Sequence, residues 1–311
     1  MTHFSSHNKN PKRGDALKFS SVWRGGLAAA AIFLGLVVTF IPAGAQAPPT
    51  ETKLDGGITR INIAVPISDG KFARSDLYLP TATGPVPSVV VIPTHFMVLY
   101  GYSEDFDKNY ALALAKLGYA ALVPTLNQYG VRGTYDLRHA VDLPMIAKWL
   151  RDRPEVMDDR TGAVGFSVGG YYISVLAAND PTVRAVIGYY GVYDLENPNL
   201  YFSKAVERFW PGSPKRNVEK VSGATLLLHG EADDETPLGQ ATSYRDALAA
   251  AGKTVEVVAY PRAHHRFDRG KVPSQQSDLS PSGHTHRLDT KARDDSWQRS
   301  TAWLEKYLKA D

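Results

Sequence analysis

Thr161-Gly-Ala-Val-Gly-Phe-Ser167-Val-Gly-Gly-Tyr-Tyr172 joins a short apolar strand, a glycine-flanked serine and the start of a helix, an order that points to one class of fold. Gly165, Ser167 and Gly169 fit the G-x-S-x-G nucleophile elbow, a tight strand-to-helix turn that lifts a hydroxyl above the edge of a sheet. The glycines have a steric reason, since strand and helix nearly touch there. On its own the pattern also fits a plain glycine-rich turn, so the rest of the chain must decide.

The chain around this stretch alternates between strands and helices from Val89 onward, which predicts a mostly parallel sheet with helices on both faces. Two strands with alternating apolar and polar residues, 58–66 and 72–79, come first and predict an antiparallel N-terminal edge. The later strands are expected at 87–92, 119–124, 161–166, 183–190, 224–229 and 254–260, and the helices at 105–117, 135–151, 168–179, 238–251 and 291–309. Residues 58–311 are therefore expected to form one α/β domain.

The N-terminus has the order of a secretory signal peptide. Residues 1–24 are polar and basic, residues 25–41 are apolar, and Ala45-Gln46-Ala47 offers an A-x-A cleavage site. The apolar run is shorter than the roughly 20 residues of a spanning helix, although a retained anchor is the alternative. We expect residues 1–47 to be removed, residues 48–57 to be a solvated linker, and the mature chain to be periplasmic or extracellular with no stable membrane span.

Composition limits the function classes. The 311 residues include 35 lysines and arginines against 32 acidic residues, but residues 1–47 hold five of the basic and one of the acidic ones. The remainder is near neutral, which gives no argument for nucleic acid or an anionic membrane as a partner. The chain has no cysteine, so disulfides, a thiol nucleophile and thiolate metal sites are excluded.

A serine hydroxyl needs a general base and an orienting acid before it attacks a carbonyl at neutral pH. In parallel-sheet hydrolases the three residues come in the chain order Ser, Asp, His. The aspartate and the histidine each stand just after a strand that follows the serine in the chain. Strand 224–229 runs into a loop with Asp233 and Asp234, and strand 254–260 runs into His264 and His265. The order predicts a Ser-His-Asp catalytic triad, which we call the row. The aspartates also suit a helix-capping turn, and the histidines also suit an exposed turn.

At these residues the chain resembles the dienelactone hydrolase family of α/β-hydrolases, over about residues 86–308. The motifs are Gly165-Phe-Ser-Val-Gly-Gly170, Leu228-His-Gly-Glu-Ala-Asp-Asp-Glu-Thr-Pro237 and Tyr260-Pro-Arg-Ala-His-His-Arg-Phe267. The resemblance implies the α/β-hydrolase fold and a serine hydrolase that cleaves a small-molecule ester or lactone through an acyl-enzyme, with no metal or organic cofactor.

The family pattern also implies which residues act. Its acid stands three residues after a glycine and four before a proline, which falls on Asp233, and its histidine precedes an x-Phe pair, which falls on His265. The oxyanion would be held by the N–H of Val168 and one from the loop with His95 and Phe96.

Two substrate-binding candidates complete the expected site. Arg269 stands where the family has an arginine for a substrate carboxylate, although a solvated loop charge is the alternative, and Tyr171 is a further candidate. The family's founding members have a cysteine in the elbow and a partnering glutamate after the third strand. Here the elbow has Ser167 and the loop after the third strand has no glutamate, which argues against dienelactone itself as the substrate.

Several alternatives stay open on the sequence alone. A prolyl-oligopeptidase-like peptidase would share the row, a polysaccharide acetyl esterase would fit an exported protein, and an inactive binding module would need a broken row. Segment 196–221, rich in aromatics and proline, could overhang the site, and the polar segment 270–289 is expected to be a mobile surface insertion. His284-Thr-His286 within it could suggest a metal site, but a surface loop is the expected reading.

Overall fold

The computed structural model describes residues 48–94, 105–126, 139–196, 213–271, 277–280 and 283–310. The strands of these ranges are β1 (Thr50–Leu54), β2 (Ile58–Pro66), β3 (Phe72–Pro80), β4 (Val86–Ile92), β5 (Ala120–Pro124), β6 (Val156–Phe166), β7 (Val183–Tyr189), β8 (Ala224–Gly230) and β9 (Val255–Tyr260). The helices are α1 (Asp105–Lys116), α2 (His139–Arg151), α3 (Val168–Asn179), α4 (Gly239–Ala250) and α5 (Thr290–Leu308). The start of the helix expected at 135–151 lies outside the described residues.

Within the described ranges, nine strands form one sheet in the order β1-β2-β3-β5-β4-β6-β7-β8-β9. The pairs β1–β2, β2–β3 and β3–β5 are antiparallel. From β5 through β4 and β6 to β9 the pairs are parallel. The predicted fold class, a mostly parallel sheet with an antiparallel N-terminal edge, is confirmed.

The central strands are apolar without interruption because helices cover both faces of the sheet. In β4, for example, Val89 and Val91 pack on one face and Val90 and Ile92 on the other. Helices α2, α3 and α4 cover the face of Val90, and α1 and α5 cover the face of Val89. In the described ranges, no helix is both long and apolar enough to cross a membrane.

The expected linker over residues 48–57 is corrected by the structure. Thr50–Leu54 forms β1, which pairs with β2 through a turn at Gly56 and Gly57, both with positive φ, at 78° and 74°. Two glycines in this conformation suit a tight hairpin. Residues 50–54 show no apolar alternation because β1 is an edge strand whose side chains are exposed at all but the last residue.

The parallel strands place the site. Because β6, β7, β8 and β9 run in one direction, the loops after Phe166, Tyr189, Gly230 and Tyr260 meet at one edge of the sheet. The register joins Phe166 to Tyr189 and Gly230 to Tyr260, so the four strands end nearly level. Ligand and catalytic sites of open α/β sheets form outside these carboxyl ends.

Candidate active site

Ser167 sits in a strained backbone conformation between β6 and α3. Its φ is 55° and its ψ is −119°, a region that costs a non-glycine residue about 1–3 kcal/mol. The surrounding backbone holds it there: its N–H donates to the carbonyl of Tyr189 at 2.9 Å, and its carbonyl accepts from the N–H of Gly170 at 2.8 Å. The turn therefore projects the serine hydroxyl beyond the edge of the sheet.

The two flanking glycines are required by close approach. A Cβ added to Gly165 would lie 2.2 Å from the carbonyl oxygen of Gly169, and one added to Gly169 would lie 2.4 Å from that of Ile92. Real Cβ atoms do not approach backbone oxygens this closely, so no side chain fits at either position. The steric reason inferred from the sequence is confirmed.

Ser167, His265 and Asp233 lie in a hydrogen-bonded row. Nε2 of His265 is 3.1 Å from the Oγ of Ser167, and Nδ1 of His265 is 2.8 Å from Oδ2 of Asp233. The residues are 7%, 2% and 5% exposed respectively, so the row is shielded from bulk water except near the serine. The structure thus brings together the three side chains that the sequence singled out.

The loop after β8 holds Asp233 in place through Thr236, which sequence reasoning missed. The N–H groups of Thr236 and Glu235 donate to Oδ1 of Asp233 at 2.8 and 3.0 Å. The hydroxyl of Thr236 lies 3.0 Å from Oδ2 of Asp233, 3.1 Å from Nδ1 of His265 and 2.9 Å from the carbonyl of Tyr190. One side chain therefore touches the acid, the base and the backbone beside the elbow.

Replacing Thr236 with valine is expected to lower kcat/KM about tenfold without unfolding the protein, because a hydrogen bond to a charged group is worth about 1.5–3 kcal/mol. Steady-state kinetics and a thermal melt would measure both effects. Thr242→Val on α4 is the matched control, since that hydroxyl lies 3.5 Å from a carbonyl of its own helix. Unchanged kinetics in Thr236→Val would remove Thr236 as a positioning residue.

Tyr190 supports the histidine from the end of β7 and was also missed from the sequence. Its ring meets the ring of His265 edge-on, with 4.7 Å between centroids, and its hydroxyl donates to Asp268 at 2.8 Å. Its φ of 39° is another strained value at this edge. The only signal in the sequence was its place as the last residue of a predicted strand.

The charges of the row favour a basic histidine. Burial alone would raise the pKa of Asp233, but the charge of His265 and its hydrogen bond lower it, so the carboxylate stays ionised. Burial alone would lower the pKa of His265, but the charges of Asp233 and Glu235 raise it above its ordinary value. His229, behind Asp233, has a pKa lowered mainly by burial, and its Nε2 lies 2.6 Å from the carbonyl of Thr236.

The expected oxyanion site is only partly described. Val168 is the first residue of α3, where the backbone N–H groups have no partner within the helix and the dipole is positive. Thr94 is the last described residue of the opposite loop, and His95 and Phe96 lie outside the described residues.

Arg269, the candidate for binding a substrate carboxylate, is buried in ion pairs beside the strand that ends at the elbow. Its guanidinium donates to Asp107 at 2.8 Å, lies 3.4 Å from Asp268 and packs over the rings of Phe106 and Phe166 at 3.8 and 4.2 Å. The Arg269 side chain is 2% exposed. Binding a substrate carboxylate would compete with this buried ion pair, which favours a structural role for the arginine.

Tyr171 is likewise packed in the core. It is 4% exposed, belongs to the apolar cluster beneath α3 and meets the ring of Tyr172 at 5.2 Å. Burial raises the pKa of its hydroxyl to about 12. These observations favour a packing role over the expected substrate contact.

The second members of the Asp and His pairs have other partners. Asp234 is exposed and accepts from the backbone N–H of Thr285 at 3.0 Å. His264 is partly buried, and it is His265, the next residue, that reaches Ser167. The sequence patterns alone had left these pairs ambiguous.

The segment expected to be a mobile insertion is docked at the site in its described part. We call residues 277–280 and 283–289 the strap. His286 in the strap is 3% exposed, forms a parallel bridge with His265 and contacts Oε2 of Glu235 through Nε2 at 2.6 Å. The polar composition of the strap hid this docking, because its contacts are polar and distant in sequence.

No metal site is indicated in the described ranges, where no group of three or more His, Cys, Asp or Glu side chains is arranged to hold an ion. The partner found for His286 is the carboxylate of Glu235.

The segment expected to overhang the site is described only at its ends. Residues 197–212 lie outside the described residues. Before the gap Asp194 accepts from Lys215 at 2.8 Å, and Glu196 pairs with Arg216, so the two ends of the segment are joined at its base.

Comparison with known proteins points to the same family as the sequence motifs. Residues 131–308 match the model of the dienelactone hydrolase family. A protein of Methylorubrum extorquens named as a carboxymethylenebutenolidase is 25% identical over 296 residues, covering 90% of this chain and 91% of that protein. A Bradyrhizobium protein named as a 2-oxo-3-(5-oxofuran-2-ylidene)propanoate lactonase is 27% identical, covering 64% of this chain and 81% of that protein.

Solved structures share the fold. A protein from Klebsiella pneumoniae named as a dienelactone hydrolase superposes with a TM-score of 0.62 at 24% identity, covering 80% of this chain and 99% of that one. An acylaminoacyl peptidase from Pyrococcus horikoshii superposes with a TM-score of 0.63 at 19% identity, covering 82% of this chain but only 43% of that one. At these identities the likeness speaks for the α/β-hydrolase fold alone.

Proposed function

The chain belongs to the dienelactone hydrolase family, and from this premise we propose that it is a serine hydrolase that cleaves a carboxylic ester or lactone through an acyl-enzyme. The observation that carries the proposal is the row itself, with 3.1 Å from Ser167 to His265 and 2.8 Å from His265 to Asp233. Relatives named as a carboxymethylenebutenolidase and a lactonase support the bond type.

In the first half of the reaction, Nε2 of His265 takes the proton of the Ser167 hydroxyl while the serine oxygen attacks the carbonyl carbon. Asp233 fixes the histidine tautomer with its proton on Nδ1 and stabilises the imidazolium. The carbonyl oxygen becomes an oxyanion at the N-terminus of α3, where the N–H of Val168 donates, an interaction worth about 3–4 kcal/mol in comparable sites.

The tetrahedral intermediate then collapses. His265 returns the proton to the leaving alkoxide, which departs and leaves the acyl group on Ser167. A water molecule then gives a proton to His265 and attacks the acyl carbon, and His265 returns that proton to the Ser167 oxygen as the acid is released. Asp233 is buried and hydrogen-bonded by its own loop, and the Ser167 backbone is held by Tyr189 and Gly170, so the site is preorganised for both halves.

The surroundings of the row favour a substrate without a carboxylate. Arg269, the family's candidate for binding one, is engaged with Asp107, and Glu235 adds a negative charge 4.0 Å from Nε2 of His265. We therefore assign neutral esters or lactones as the substrate class.

A chromogenic screen tests the function. Short p-nitrophenyl esters and neutral lactones are expected to be hydrolysed, and a p-nitrophenyl ester with a free acyl carboxylate to be turned over more slowly. Hydrolysis of aminoacyl p-nitroanilides but of none of the esters would overturn the proposal in favour of the peptidase alternative. The solved peptidase structures are similar in fold alone and so do not favour that alternative.

We also propose that the chain is exported and that its leader is removed after Ala47. The mature protein is then expected to begin at Pro48, which intact-mass measurement of the periplasmic fraction of a Gram-negative host would detect. Ala47→Leu should block processing, because the cleavage site requires small residues. A full-length chain found with the membranes in the unmodified protein would favour the anchor instead.

A further inference from the structure

A second carboxylate, Glu235, approaches the histidine of the row from the side opposite Asp233. Its Oε2 lies 4.0 Å from Nε2 of His265, the nitrogen that faces Ser167. Asp233 already occupies Nδ1, so Glu235 is not a substitute for it. The Glu235 side chain is 15% exposed, which places it at the boundary between the row and solvent.

The strap holds this carboxylate at its distance. Nε2 of His286 contacts Oε2 of Glu235 at 2.6 Å, a charge-assisted hydrogen bond, and His286 itself is 3% exposed. A second hydrogen bond joins the strap to the loop after β8, where the backbone N–H of Thr285 donates to Asp234. It is also fixed to the histidine by the bridge between His265 and His286.

The 4.0 Å between Oε2 of Glu235 and Nε2 of His265 decides whether the two groups form a hydrogen bond. At 4.0 Å the carboxylate lies outside hydrogen-bond range of Nε2, so that nitrogen is left to Ser167. About 1 Å closer, Glu235 would accept a hydrogen bond from Nε2 of the His265 imidazolium and compete with the Ser167 oxygen for that proton. At its present place the charge acts on His265 without making that bond.

We propose that Glu235 is a positioning residue of the reaction, held by His286 so that its charge stabilises the His265 imidazolium while Nε2 stays directed at Ser167. The inference rests on the proposed function for its role in turnover. Burial alone would raise the pKa of Glu235, but the charges of His265 and His286 lower it to about 2, so the carboxylate is ionised throughout the working range.

Other charged and titratable groups also face the pair and must be kept constant in any test. These groups are Asp233 in the loop after β8, His229 in β8, Arg266 in the loop after β9 and His284 in the strap. Asp233 raises the pKa of His265 and Arg266 opposes it, so the contribution of Glu235 can be measured only as a difference between variants.

Glu235→Gln is the decisive variant, because glutamine keeps the shape and an oxygen that can accept from His286. Loss of the anion lowers the pKa of His265, by about one pH unit for an opposite charge at this range. The acid limb of kcat/KM, which requires neutral His265, then moves to lower pH, and the plateau of kcat falls roughly threefold to tenfold as the base weakens. Glu231→Gln, an exposed residue of the same loop, is the matched control.

The tether is tested by rescue. His286→Ala frees Glu235 to engage His265, so kcat should fall, and the double variant with Glu235→Gln should regain activity relative to His286→Ala alone. A merely structural role for the pair predicts the opposite, a double variant that is no better than the single one. That result would overturn the tether.

A measurement on the resting enzyme separates this inference from the function on which it rests. Nitrogen-15 NMR titration of His265 in wild type and Glu235→Gln needs no substrate. A lower pKa of His265 in the variant supports the electrostatic role even if no tested ester is hydrolysed, in which case the proposed function fails alone. An unchanged pKa, in an enzyme that does hydrolyse esters through Ser167, overturns the role of Glu235 and leaves the function intact.

Discussion

Replacing Ser167 with alanine is expected to lower kcat for ester hydrolysis by about 10⁶-fold while the protein stays folded, by analogy with the loss of the nucleophile in other serine hydrolases. Alanine removes one oxygen and accepts the same backbone conformation as serine, with φ at 55°. The hydrogen bonds that fix the elbow are made by its backbone and survive the change. The thermal midpoint should therefore stay close to that of the wild type.

Ser174→Ala is the control for this variant. Ser174 lies on the same helix and donates to the carbonyl of Gly170 at 2.8 Å, but it does not touch His265. Its replacement should cost about 1–3 kcal/mol of stability, because the buried Tyr244 hydroxyl loses a hydrogen bond, and should leave kcat near the wild-type value. Activity retained in Ser167→Ala would exclude Ser167 as the nucleophile.

Asp233→Asn is expected to lower kcat about 10⁴-fold, because an asparagine amide donates where the carboxylate accepts and so favours the wrong tautomer of His265. The loss of charge also lowers the pKa of His265, which Asp233 raises. Any residual activity should therefore extend to lower pH than in the wild type. Stopped or continuous ester assays across the pH range would show both effects.

Asp234→Asn is the matched control, since Asp234 is the exposed neighbour that binds the strap through Thr285. It should change kcat little. If Asp234→Asn were the more damaging of the two substitutions, the assignment of Asp233 as the orienting acid would be wrong.

The elbow and the parallel sheet were predictable because their signals are local. Gly165 and Gly169 are required by contacts between neighbouring elements, and the helix predicted at 168–179 begins and ends as expected. The polar, exposed strand β1 was missed, since an edge strand has no face to bury. Strand β6 begins at Val156, earlier than predicted. Its first part was missed because these residues are mostly polar and partly exposed.

The supporting residues of the site could not be predicted, for a different physical reason. Glu235 and His286 are separated by 51 residues and meet only because the strap bridges to His265. No local period or spacing encodes such a contact. Arg269 stands at the sequence spacing expected of a substrate-binding arginine. In the folded chain its guanidinium pairs with Asp107, a contact that spacing does not predict.

Covalent labelling with a fluorophosphonate, followed by peptide mass spectrometry, would show whether Ser167 is the nucleophile. The tryptic peptide of residues 161–184 contains both Ser167 and Ser174, so fragmentation must assign the site. We predict one label per chain, on Ser167, absent from Ser167→Ala and much slower in Asp233→Asn. A label on any other residue, or equal labelling of Ser167→Ala, would exclude Ser167 as the nucleophile.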